Sequence, residues 1–107
     1  MGESEFSEPI ESLRARLQRR HPPLTKKEFS NLASAALKDL EDEALRETAG
    51  NWLDGSYYLS RYEEAKAEAS LASAREGIEA LTLAAPTSLQ IHSLSFAINE
   101  SSAELAF

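Results

Sequence analysis

The segment Leu24-Thr25-Lys26-Lys27-Glu28-Phe29 constrains the fold more than any other in the chain. Thr25 and Glu28 stand three apart, so the threonine hydroxyl can accept from the Glu28 backbone while the glutamate reaches back to the Thr25 backbone. Leu24 before the cap and Phe29 after it form the apolar pair that fixes how a chain enters a helix. Beyond the cap, Phe29, Leu32, Ala33, Ala36, Leu37, Leu40 and Ala44 recur at helical spacing and make one apolar face. The pattern predicts a helix over 25–49, closed by Gly50-Asn51.

A first helix is predicted over 8–20. Ser7 stands at its N-cap, Glu8 and Glu11 lie in the first turn where the helix dipole favours anions, and Ile10, Leu13 and Leu17 form a stripe. His21-Pro22-Pro23 ends it, because proline lacks the backbone donor and restricts the residue before it. Residues 1–7 precede it as a flexible acidic segment.

A long third helix, rich in Ala, Glu, Lys and Leu, is predicted over 55–83, after the turn signal Asp54-Gly55. At about 100° per residue, Tyr58, Tyr62, Ala65, Ala69 and Ala72 share one side, while Ala67, Leu71, Ala74, Ile78 and Leu81 share the opposite side. A helix apolar on two sides needs cover on both. Such a helix is sandwiched, bends (Gly77 is a permissible weak point) or hands its second stripe to another chain; the last is favoured, which makes Leu71, Ala74, Ile78 and Leu81 the expected interface of a homodimer.

Ala85-Pro86-Thr87 breaks this helix, and Thr87-Ser88-Leu89-Gln90 reads as another capping box. A fourth helix over 87–105 aligns Ile91, Leu94, Ile98 and Leu105, and gathers Leu89, Phe96, Ala103 and Phe107 on its other side. The alternation Leu94 to Asn99 also permits a β-hairpin, with a final strand from Ala103 to Phe107. Helix is favoured because β-branched residues are scarce there. The expected fold is therefore all-α: a small bundle of about four helices, in one domain over 1–107. The stretch Trp52-Leu53-Asp54-Gly55-Ser56-Tyr57-Tyr58 resembles the turn inside a tetratricopeptide repeat. It spaces its Trp, Leu-Gly and Tyr differently and has no second copy, so no repeat is assigned.

The chemistry the chain offers is narrow. It has no cysteine, which excludes disulfides, thiolate metal sites and thiol nucleophiles. His21 and His92 lie far apart, without ligand spacing around either. The carboxylates at i, i+4, such as Asp39, Glu43 and Glu47 or Glu64 and Glu68, have Lys, Arg and Ser neighbours and read as solvated faces. Fourteen serines include no nucleophile motif, and Gly2, Gly50, Gly55 and Gly77 make no phosphate loop. No catalytic, metal or cofactor residue is assigned, and the chain is not expected to be an enzyme. No signal peptide and no apolar run long enough for a bilayer are present, so a cytoplasmic, membrane-free location is expected.

Eighteen acidic against eleven basic residues give a net charge of −7. That field repels nucleic-acid phosphates and keeps the chain soluble or attracts basic partners. Arg14, Arg16, Arg19, Arg20, Lys26 and Lys27 concentrate six of the cations in one segment, the place for nucleic-acid contact if there is any. Trp52, Tyr57, Tyr58 and Tyr62 cluster within eleven residues. Such rings either close a bundle corner or anchor an interface, and they are the candidate partner-binding residues. The expected function is a non-catalytic protein-interaction module, such as an inhibitor, an immunity protein or antitoxin, or a chaperone, that binds and occludes a partner protein as a homodimer. The alternatives are a nucleic-acid-binding regulator using Arg14 to Lys27 and a structural subunit of a larger assembly.

Overall fold

The computed structural model describes residues 8–19, 24–38, 40, 42–85 and 88–106. Among these, the chain forms five helices and no strand: α1 Glu8–Arg19, α2 Lys26–Leu37, α3 Glu43–Ser60, α4 Glu64–Ala84 and α5 Leu89–Ala106. The fold is all-α. Helix α3 is central, packing against each of the other four. No helix is long and apolar enough to cross a membrane among the described residues.

The capping box at Thr25 forms as its spacing predicts. The Glu28 N–H donates to Thr25 Oγ1 at 3.1 Å and the Thr25 N–H donates to Glu28 Oε1 at 3.0 Å. Leu24 and Phe29 are both buried, as are Ile10, Leu13 and Leu17 of α1. The predicted stops and starts at Ser7, His21-Pro22-Pro23 and Thr87 lie outside the described residues.

The helix predicted over 25–49 is two helices. Helix α2 stops at Leu37, and Asp42 starts α3 by accepting at Oδ1 from the N–H groups of Ala44 (2.9 Å) and Leu45 (3.1 Å). Between them Leu40 keeps its side chain in the core, and its carbonyl accepts from Arg46 Nε at 3.1 Å and Nη2 at 2.9 Å. A short carboxylate that bonds the backbone competes with helix continuation, and the guanidinium satisfies a carbonyl the helix would otherwise have used. Leu32, expected on the apolar face, is exposed.

Gly50-Asn51 and Asp54-Gly55 are not turns; both lie inside α3. A Cβ added at Gly55 would stand 2.7 Å from Leu71 Cδ2, far inside van der Waals contact. On α4, a Cβ at Gly77 would overlap Thr48 Oγ1 and stand 3.3 Å from Thr48 Cβ and Cγ2. The pairs Gly55/Leu71 and Thr48/Gly77 define one antiparallel register, in which each helix drops a side chain where its neighbour's backbone comes close. A glycine inside a helix costs about 0.5–1 kcal/mol against alanine, and here the close approach offsets it.

The predicted third helix is also broken, at Arg61–Glu63, where α3 turns into α4. The Tyr62 N–H donates to the Leu59 carbonyl at 3.0 Å and the Glu63 N–H to the Tyr58 carbonyl at 2.9 Å. Tyr62 has φ 61°, the left-handed position of a Schellman cap that glycine ordinarily fills. The break dissolves the two-sided apolar helix of the sequence reading. Tyr58 belongs to α3, Tyr62 to the turn, and Ala65 and Ala69 are exposed, so α4 buries a single face of Ala67, Leu71, Ala74, Ile78 and Leu81.

The β-hairpin alternative for the C-terminal segment does not form. Ser88 begins α5 by accepting from the Ile91 N–H at Oγ (3.3 Å) and from the His92 N–H at its carbonyl (3.1 Å). Ile91, Leu94 and Ile98 are buried, and Leu105 packs partly buried against the same core.

The glycines make opposite predictions. Gly77→Ala should lower stability by about 1–2 kcal/mol, because the added carbon meets Thr48 in a packed seam, and Thr48→Ala should restore part of the loss. Gly50→Ala, whose new carbon meets only Leu37 Cδ1 at 3.5 Å, should raise stability by about 0.5–1 kcal/mol. Urea denaturation of the three variants beside the wild-type chain reads both signs.

Candidate functional site

Four aromatic residues clustered in sequence are dispersed by α3. Trp52 is 1% exposed and sits where α1, α3 and α5 meet. Its Nε1–H donates to Ser101 Oγ at 3.2 Å, and the Arg14 guanidinium lies 6.0 Å from the ring centroid while pairing with Glu100. Tyr57 is buried and stacks on Phe29, with centroids 4.5 Å apart and planes inclined by 17°. These two rings hold the bundle together and are closed to a partner in this fold.

Tyr58 and Tyr62 stand nearer solvent, at the end of α3. Lys26 Nζ donates to Tyr58 Oη at 3.1 Å and lies 5.1 Å from the Tyr58 ring and 5.4 Å from the Tyr57 ring. Lys66 approaches the Tyr58 ring at 5.7 Å. Tyr58 is thus a half-buried bracket between α2 and α4, held by cation–π and hydrogen-bond contacts. Tyr62 differs from the other three. It is 65% exposed, at the tip of the α3–α4 hairpin, on a backbone twisted into the left-handed region. The sequence singled it out only as one of a cluster; nothing in the residue pattern marks Tyr62 for positive φ.

A cleft of about 310 Å³ opens between α1, α3 and α5, lined by Arg14, Trp52, Ser56, Ser60, Glu100 and Glu104 among others. Its polar groups largely answer one another. Arg14 pairs with Glu100, Trp52 donates to Ser101, and the buried Ser60 Oγ donates to the Tyr57 carbonyl at 2.6 Å. The cleft is a polar seam that ties α1 to α5 across Trp52. Among the described residues no three His, Asp or Glu side chains converge as metal ligands would.

The basic segment does not present one cationic face. Arg14 is drawn to Glu100 and Trp52, and Lys26 to Tyr57 and Tyr58. Arg16 is half-buried, Arg19 and Lys27 are exposed, and Arg20 lies outside the described residues. The stripe expected to form a dimer interface faces inward. Leu71, Ala74, Ile78 and Leu81 are all buried within the chain's own core. Once the long helix breaks at Tyr62, α3 and α5 cover this face, so no second copy is needed to shield it.

One ionisable group at the Lys26 corner is unfavourably placed. Burial raises the pKa of Asp54, and the nearby Lys26 charge opposes the rise. The folded chain therefore holds that proton more tightly than the unfolded chain. The ionised carboxylate costs stability above its raised folded pKa, and the cost fades as pH falls toward the ordinary carboxylate range. Asp54→Asn should accordingly stabilise the chain at neutral pH, with the gain vanishing in acid; thermal melts from neutral to acidic pH measure it.

Comparison with known protein families, with curated proteins and with solved structures finds no match to this chain.

Proposed function

We propose that the chain is a non-catalytic protein-interaction module that binds and occludes a partner protein through the tip of the α3–α4 hairpin. The observation that carries the reading is Tyr62. A bulky side chain at positive φ costs about 1–2 kcal/mol relative to the right-handed region, and glycine would occupy the same position without that cost. The ring is largely exposed, so core packing does not explain why an aromatic stands there. Backbone strain retained beneath an exposed side chain marks a place where the side chain is used.

The surroundings suit an anchor. The three backbone hydrogen bonds of the turn fix the direction in which Tyr62 leaves the chain. Arg61 Nη1 donates to the Leu24 carbonyl at 3.2 Å, bracing the turn against the chain entering α2. Lys66 and Glu63 form a surface ion pair at 3.2 Å beside it, a contact worth little by itself that leaves a polar rim. A tyrosine on a hydrogen-bonded turn within a polar rim suits an anchor, since the backbone is already fixed and the ring has only two side-chain torsions to lose.

The glycine variant separates use from structure. Tyr62→Gly should raise stability by about 1 kcal/mol through relief of the left-handed strain. It should also abolish recovery of the protein that the wild-type chain captures stoichiometrically from a nuclease-treated extract of its own host. Undiminished capture by Tyr62→Gly would refute the assignment of the tip.

A further inference from the structure

From Ala80 to Asn99 the chain contains no Asp, Glu, Lys or Arg, although 27% of all its residues are charged. This segment comprises the last turn of α4, the connection, and the first half of α5. Its inward residues Leu81, Ile91, Leu94, Ala97 and Ile98 join the core. Outward it leaves Leu83 at 83% exposure and Phe96 at 67%, the two most exposed large hydrophobic side chains among the described residues. Arg75 Nη1 donates to Ser102 Oγ at 2.8 Å, which sets the antiparallel register of α4 and α5. In that register Leu83 stands opposite residue 94, so it lies within about 3 Å of the level of Phe96 along the helix pair. A shallow groove of about 350 Å³ runs between the helices at Leu83, lined also by Arg75, Ile78, Glu79, Thr82, Ser95 and Asn99.

We propose that this charge-poor α4–α5 surface pairs two copies of the chain about a two-fold axis. The occupant follows from charge. The segment Ala80 to Asn99 itself offers no carboxylate to draw a basic partner, and Glu79 at the groove has the opposite charge of Arg75 one turn away. A like-charged copy carrying −7 is repelled across most of the molecule, and least where formal charge is missing. Depletion of charge at the centre, with large apolar side chains standing out, is the composition of an interface core. At its border Arg75 and Glu79 lie one turn apart on α4, and a two-fold axis brings opposite charges of this kind within reach of one another across the contact. The surface is also remote from the hairpin tip. Helix α4 separates Tyr62 from Leu83 by about 30 Å, so pairing leaves both tips open and stands whether or not the tip binds a partner.

Sedimentation equilibrium of the full chain over a range of concentrations tests the proposal. The wild-type chain should reach twice its 11.8 kDa mass. Leu83→Glu and Phe96→Glu, both at exposed positions that leave the core intact, should each weaken pairing by about 10-fold or more while helix content and monomer stability hold. Glu79→Arg should weaken it as well, and Arg75→Glu combined with Glu79→Arg should restore it. A chain that stays at 11.8 kDa from micromolar to millimolar concentration, or a dimer unaffected by both Leu83→Glu and Phe96→Glu, would overturn the proposal.

Discussion

The close approach of α3 and α4 is the constraint on which the rest of the structure depends. Two missing side chains make it possible: Gly55 leaves room for Leu71, and Gly77 leaves room for Thr48. These contacts lie about one third of the way in from either end of the antiparallel pair, so the close approach is made at two places rather than one. With α4 drawn in, Leu71, Ala74 and Ile78 meet the core that Trp52 and Leu53 occupy from α3. Helices α1 and α2 then cover one side of α3, and α5 covers α3 and α4 together. The peripheral helices are joined across Trp52, where Arg14 from α1 meets Glu100 from α5 beside the indole. Dispersion and apolar burial supply the energy; the glycines decide where it is gained.

The two ends of α4 carry different physics. At its beginning, three backbone hydrogen bonds close the hairpin tightly enough to hold Tyr62 in a conformation it would not choose. At its end, a run of uncharged residues continues into α5 and leaves Leu83 and Phe96 in water. Neither feature serves the core. An exposed tyrosine under strain and an exposed apolar pair without charge both oppose the stability and solubility that the rest of the surface maintains through its acidic residues. Strain beneath an exposed ring and apolar exposure without charge, at two separated places, are the observations that support the proposed contact-making role.

Much of the fold was legible in the residues. The Thr25–Glu28 box, the stripes of α1 and α2, and the Ile91, Leu94, Ile98 alignment of α5 all follow from spacing, because each depends on neighbours within a turn or two. The errors share a cause. Gly50 and Gly55 looked like turn residues because glycine's conformational freedom is a local signal, whereas its small size matters only when another helix is already beside it. Tyr62 carries no signal at all: the cap forms around it because α3 and α4 must reverse there, and tertiary packing overrides its preference. Reading through that reversal merges two helices into one and creates an apolar face on each side, which is what suggests an interface at Leu71 and Ile78; both are buried within the chain's own core. The break at Asp42 could have been found, since Asp42 followed by Glu43 and the apolar Leu45 is a start signal, but the apolar periodicity of α2 runs through it unbroken. The uncharged stretch from Ala80 to Asn99 is equally visible in the sequence, but periodicity counts apolar residues and not absent charges.

The most direct test of the central packing is a carbon-edited NOE spectrum of the uniformly labelled chain. Strong cross-peaks should connect the Gly77 α protons with the Thr48 methyl and the Gly55 α protons with the Leu71 methyls, since those backbones and side chains touch. Absence of both sets in a folded, helical sample would mean that α3 and α4 do not meet through their glycines, and the account built on that contact would fail.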